Sequence, residues 1–509
     1  MAFSRRSVLA AGGASVFACL SGKSTLAVLE QIVGGERPRR LAPSELAGAR
    51  ADLVAAWSEV RAAGSHGLPA EQHLFLDTAT VVDNDVTVTV PPLYHRVVTA
   101  DLLGVTEANL LQAQADLEGV LSSLEARRLL TFTPKGLGIA VAWGLGYFGR
   151  YVKSQFERYA PVDLRLSKES GNKQYAILAA VAFASDERAG NAPIVLEQND
   201  VAFVMASDER SHLDEAFQAL FGKQSRSAPW FKITSIREGF VDGRHVGKAT
   251  ESVTKQMATR YRIAGHELIP KSAELFLGFT STQRTALGPS LICNLETLKG
   301  YTDQWPNGYF RAGTTLQVSH IFEDVSFWYG GLSYRQRVGA AFTPSLRRVV
   351  KPGTQTVPEP FSGVFTLQDV EDDYGSYQTV GHSTVMQPVS RLHEPGQDNY
   401  GRPYRKGTSL LQRADFNTLN NPFAYSSRPH IDGWSPQPNP GLHFLSYAPT
   451  SDTFNRIRRA MDGEYPNGTN LHEANSPLNV ILTTTHRQNF LVPPRVHRSF
   501  PLAEVSPTS

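Results

Sequence analysis

Apolar runs alternate with amphipathic stretches along most of this chain, and they do so twice in the same order. Val86 to Val90 and Arg96 to Thr99 alternate residue by residue and predict strands. Glu107 to Arg128 puts Leu110, Leu111, Ala115, Leu117, Val120, Leu121 and Leu124 at helical spacing, which predicts an amphipathic helix. Leu137 to Trp143 and Val201 to Ala206 are continuous apolar runs of strand length. Ser207 and Asp208 then read as the cap of a helix through Phe221. A further strand, Trp230 to Ile236, delivers the motif Gly239-Phe240-Val241-Asp242-Gly243. In the second half Thr314 to Ile321 reads as a strand, Glu323 to Ala341 as a helix, Leu442 to Tyr447 as a strand and Asp452 to Met461 as a helix.

Such alternation, with a long insertion at about 150–195, predicts an α+β protein. It would have two split βαβ units, each an antiparallel sheet with helices on one face, packed sheet to sheet. The stretch from Val349 to Gly441, rich in Pro, Gly and Asn, reads as an irregular functional region. It carries His382, His393, Arg402, Arg405 and Arg413. The corresponding division of the chain is a targeting segment at 1–30, a helical extension at 31–70, a first domain at 71–245 and a second at 246–509.

Composition narrows the classes. With 509 residues, 41% hydrophobic and 19% charged, the chain is long enough for two large cores. A net charge of +2 with dispersed Lys and Arg carries no electrostatic footprint for nucleic acid. Cys19 and Cys293 are its only cysteines, which excludes a disulfide framework and a cysteine-built metal site. Ser4-Arg5-Arg6-Ser7-Val8-Leu9 followed by small apolar residues to Leu20 has the form of a twin-arginine export signal. The expected destination is periplasmic or extracellular, with lipidation at Cys19 left open. The route carries folded proteins, often with a cofactor inserted, and no downstream run is long enough to span a membrane.

The glycine-flanked acid Asp242 has two readings. Asp-Gly is a common turn, which would leave the carboxylate solvated. Glycines on either side also let the backbone bend tightly and leave room for a large flat ligand.

The order of motifs resembles the dye-decolourising peroxidase family from about residue 85 to 500. The likeness is carried by the Leu137 to Phe148 strand with its glycine-aromatic ending, by Asp200 to Leu220, and by Gly239 to Gly243. Gly441-Leu442-His443-Phe444-Leu445-Ser446-Tyr447 and Phe490-Leu491-Val492-Pro493-Pro494 complete it. The resemblance implies two ferredoxin-like domains forming a dimeric α+β barrel-like body with long loop insertions, and haem b in the second domain. It implies Asp242 as the distal acid, Arg413 as the distal arginine and His393 as the iron ligand, with His382 as the alternative. Leu442 and Phe444, two apart on one strand, would face the distal pocket. His393 is followed by Glu394-Pro395-Gly396, Asp415 stands where Gly or Asn is commoner, and Asn199 precedes Asp200, all departures from the family pattern.

The implied activity is a haem peroxidase that reduces hydrogen peroxide and oxidises bulky aromatic or dye-like reductants through a ferryl haem. An aspartate relay predicts an acidic pH optimum. Electrons would leave through aromatics such as Trp305, Trp328, Tyr329 or Trp434. His95, His212, His245, His320 and His430 read as structural or solvated. A deferrochelatase-like envelope protein and a non-haem binding module that keeps the fold are the alternatives. The sequence leaves the oligomeric state and the physiological reductant open.

Overall fold

The computed structural model describes residues 68–505 apart from 77–78, 84–85, 129–132, 188–192, 243–249, 284–288, 346–347, 351–355, 359–360, 362, 421, 424–437 and 472–476. The twin-arginine segment, Cys19, the N-terminal helical extension, His245, His430 and Trp434 lie outside the described residues.

The first half runs β1 (Tyr94–Leu102), α1 (Leu110–Arg128), β2 (Gly138–Trp143), β3 (Val201–Ser207), α2 (Arg210–Phe221) and β4 (Phe231–Phe240). Its strands pair antiparallel in the order β4-β1-β3-β2, which is the split βαβ arrangement. After α3 (Val253–Arg260) the second half begins with β5 (Thr314–Glu323) and crosses through α4 (Leu367–Tyr377) and α5 (His382–Ser390). It continues with β6 (Gln412–Arg413), β7 (Phe416–Thr418), β8 (Gly441–Ala448), α6 (Ser451–Met461) and β9 (Leu482–Val492). β6 and β7 keep one register against β8, from Gln412 opposite Tyr447 to Thr418 opposite Gly441, and act as one strand. With β8 on β5 and β5 on β9, the second sheet repeats the topology of the first.

Two seams close these sheets into a barrel. Phe240 at the end of β4 pairs with Asn417 on β7, and Trp143 at the end of β2 pairs with Leu491 on β9. The closed body explains why β2 and β3 are apolar at every position. Ala140, Ala142, Ala202 and Val204 face the lumen with Val318, Leu445 and Phe490. Ile139, Val141, Phe203 and Met205 face outward against Leu117, Leu121 and Leu213 of α1 and α2. A strand buried on both faces cannot alternate. The fold is therefore the α+β architecture of two ferredoxin-like units, and no helix among the described residues is long and apolar enough to cross a membrane.

Several local expectations are corrected. Asp208 does not cap α2; its Oδ1 accepts the Leu93 amide and ties the entry of β1, while Glu209 occupies the cap position. Glu323 ends β5 rather than opening a helix; a short π-helical turn follows at Phe327–Gly331, and the α-helix begins only at Tyr334. The region from 349 to 441, read as irregular, contains α4 and α5. A capping box marks the start of α4, with Thr366 accepting from Asp369 N and the Asp369 carboxylate accepting from Thr366 N. Thr366→Ala is expected to cost about 1 kcal/mol in chemical denaturation, the usual worth of an N-cap.

Candidate active site

The register places the second half's side chains in rows across its strands. On the outer face, Arg413, Ser446, Gln317 and Asn489 form one row through the pairs Arg413–Ser446, Ser446–Gln317 and Gln317–Asn489. Phe444, Ser319 and Arg487 form the next, and Asp415 extends that row because its neighbours hold the register on either side. α6 covers this face, with Phe454 6.0 Å from Phe444, and α5 packs on α6.

Much of this covered face is polar and incompletely bonded. Ser446 Oγ, Gln317 Oε1, Asn489 Oδ1 and Asp415 Oδ1 are buried without a hydrogen-bond partner among the described residues. Buried polar atoms are nearly always paired in folded proteins, so such a row marks a place where something else is accommodated. The cations above it differ in their commitments. Arg487 donates to both oxygens of Asp186, at 2.6 and 3.3 Å, and Arg458 reaches Asp462 at 2.9 Å. Arg413 stands 3.5 Å from Asp415 with its side chain about half exposed.

His382, the first residue of α5, has its Nδ1 buried without a partner. Burial first, then the charges of Arg413 and Arg458, push its pKa down to about 3, so the ring is neutral. His393 lies beyond the end of α5, and its Nε2 sits 3.1 Å from the Pro388 carbonyl and 3.3 Å from that of Gln387. Its outward nitrogen is already taken by its own helix.

Asp242 is buried two residues beyond Phe240, next to the seam that carries Asn417. Its Oδ2 accepts the amide of Val253 at 2.9 Å, so it anchors the start of α3. The glycine before it serves the fold. Gly239 lies inside β4, and a Cβ there would overlap the carbonyl of Asn417. The room left by that missing side chain is filled by the second sheet rather than by a ligand. Leu442 is buried on the same outer face as Phe444.

Glu323 was not among the residues singled out by motif. It is 4% exposed, both carboxyl oxygens lack a partner among the described residues, and it lines a cavity of about 290 Å3 with Asp324, Asn439 and Thr483. Burial and, second, the nearby Asp415 raise its pKa to about 8. Burial also raises Asp415. The only trace of Glu323 in the sequence is an acid directly after an apolar strand.

Of the aromatics read as electron exits, Trp328 and Tyr329 are buried, with Trp328 Nε1 donating to Leu277 O and Tyr329 Oη donating to Phe276 O. Trp305 is 38% exposed and rests edge-on against Tyr400. Among the described residues no group of His, Cys, Asp and Glu has the arrangement of a metal site.

Comparison with solved structures finds a DyP-type peroxidase from Cellulomonas bogoriensis at 16% identity and TM-score 0.48, covering 82% of this chain and 95% of that one. The oxyferrous complex of DtpA from Streptomyces lividans shares 14% identity at TM-score 0.44, over 83% of this chain and 96% of its own. A DypB variant from Rhodococcus jostii RHA1 in complex with heme shares 15% at TM-score 0.43, over 81% and 96%. No curated protein matches. Residues 92–494 match a family of unknown function, DUF7405, and the chain belongs to that family.

Proposed function

We propose that this chain is a haem-dependent peroxidase that takes haem b on the outer face of its second sheet, with His382 as the iron ligand. The observation that supports this reading is a neutral imidazole with an unpartnered nitrogen within electrostatic reach of Arg413, above a row of unpartnered polar atoms. A metal takes the neutral form of histidine, and the state of His382 suits that need. His393, whose unhindered nitrogen is held by backbone carbonyls, is the alternative ligand.

Haem bound there supplies the redox chemistry that reduces hydrogen peroxide at the expense of an aromatic or dye-like reductant. The chain's own residues supply the rest. Arg413 is permanently cationic and stabilises negative charge on a peroxide oxygen. Asp242 is the candidate for holding and returning the peroxide proton at its carboxyl oxygens. Leu442 and Phe444 supply the apolar lining beside Arg413 on that face. Delivery through a twin-arginine signal to the periplasm or the medium is part of the same reading.

The test is a haem titration of the purified protein followed by its absorption spectrum, with His382→Ala and His393→Ala in parallel. A Soret band in the wild type that His382→Ala loses and His393→Ala keeps is the expected result. Loss in His393→Ala alone moves the ligand there. A wild type that takes up no haem overturns the reading and favours a binding module that retains the fold.

A further inference from the structure

The lumen of the barrel holds a second polar centre, on the opposite face of the sheet from the candidate haem site. Phe416, His443, His320 and His486 stand side by side in one row across β7, β8, β5 and β9. His95 on β1 continues the belt, with its ring stacked on Phe416 at 4.8 Å. The ring centroids of His320 and His443 are 5.1 Å apart, and those of His320 and His486 6.5 Å. Arg237 on β4 faces the same space, and all these side chains are buried.

Their polar atoms are largely unspent. Both ring nitrogens of His443, Nε2 of His320, Nδ1 of His95 and Nη1 of Arg237 are buried with no hydrogen-bond partner among the described residues. The remaining contacts are local: His320 Nδ1 and His486 Nδ1 each lie within 3.0 Å of Thr485 Oγ1, and His95 Nε2 meets the Pro92 carbonyl at 2.7 Å. Phe423 closes the belt, stacked on His486 at 3.4 Å with the Arg237 guanidinium 5.2 Å from its ring centre.

One guanidinium faces this space. Arg237 is paired with one carboxylate, Glu197, through Nη2 at 2.5 and 2.7 Å, while its Nη1 remains available. Its charge adds to burial in disfavouring protonation of His320 and His443. Among the described residues the charged and titratable groups around the belt are thus Arg237, Glu197, His95, His320, His443 and His486, with Asp208 acting on His95 and no carboxylate in the electrostatic surroundings of His320 or His443. Buried imidazole N–H groups and an unpaired guanidinium edge together describe the surroundings of a small anion. A cation is disfavoured by the Arg237 guanidinium, which acts on His320 and His443, and among the described residues the imidazoles lack the arrangement of a metal site.

We infer that the barrel lumen binds a small monovalent anion of halide or nitrate size between His443, His320 and the free edge of Arg237. The site is separate from the proposed haem site and does not depend on it. The lining side chains are all buried, which limits the ion to a small one, and each bond it accepts satisfies one of the unpartnered nitrogens.

Bromide is the probe. Crystals of the full chain soaked in sodium bromide are expected to show an anomalous peak inside the barrel, within hydrogen-bond distance of His443 and Arg237. In solution the melting temperature is expected to rise by about 1–2 °C for each tenfold increase in bromide, relative to sulfate at equal ionic strength. His443→Phe, which fills the position with an apolar ring, should abolish that rise. Water alone in the lumen of bromide-soaked crystals overturns the inference, as does melting that follows ionic strength whatever the anion. Should His443→Phe fail to fold, the position of the anomalous peak in the wild type decides the matter.

Discussion

Gly239→Ala is expected to lower the stability of the folded chain by about 3 kcal/mol or more, with the transition in denaturant moved accordingly and the yield of folded protein reduced. The new methyl group would overlap the carbonyl of Asn417, and a backbone atom in a paired strand cannot swing aside as a long side chain can. Asn417 is fixed on its other side as well. Its Oδ1 accepts the Phe276 amide at 2.9 Å, and its Nδ2 donates to the carbonyls of Phe240 and Glu274, both at 3.1 Å. The strain therefore falls on the Phe240–Asn417 seam that joins the two sheets. Equilibrium unfolding of the variant beside the wild type checks this, and an unchanged midpoint would show that the seam can open to admit a methyl group.

The second large effect concerns Glu323 and runs opposite to the usual cost of mutating a buried residue. Its folded pKa of about 8 lies above the ordinary carboxyl value of 4.5, so the folded state holds a proton that the unfolded state releases between those values. Wild-type stability at this site is complete below about pH 4.5 and is lost progressively as pH rises to about 8. Glu323→Gln keeps the shape, cannot ionise and does not share that loss. Below about pH 4.5 the two proteins should melt together, and near neutrality the glutamine variant should be the more stable. The whole loss amounts to at most about 5 kcal/mol. Parallel melting curves of the two proteins across that pH range provide the measurement. If their difference does not change with pH, Glu323 is not a buried proton holder.

The same residue bears on the proposed chemistry. Asp242, the acid expected from the motif, accepts the amide at the start of α3, whereas Glu323 has no partner for either oxygen among the described residues and lines an open cavity. An aspartate relay predicts an acidic optimum, so a dye-oxidation profile that stays high toward about pH 8 would shift attention from Asp242 to Glu323.

Much of the fold was legible along the chain because its signals are local. The apolar runs at β2 and β3, the periodicity of α1 and the paired plan of the two halves depend on which residues neighbour each other in sequence. Each element's type follows from that patterning alone. The helices between 349 and 441 are missed when the stretch is read as a whole from its many Pro, Gly and Asn residues, which passes over the capping signal at Thr366. Glu323 was drawn into a helix because an acid after a strand has the same local appearance as the start of a helix.

What the sequence by itself determined is therefore the kind and order of the elements, and the residue types available for chemistry. Tertiary structure decided which of those residues meet. Closure of the barrel through Phe240–Asn417 and Trp143–Leu491 assigned Gly239 to a strand seam and set His320, His443 and His486 in one lumenal row. It also placed Arg413 across from Ser446 on the opposite face. The reason is physical: register between strands far apart in sequence is set by pairing and packing across the whole barrel, and a one-residue slip would exchange those two faces.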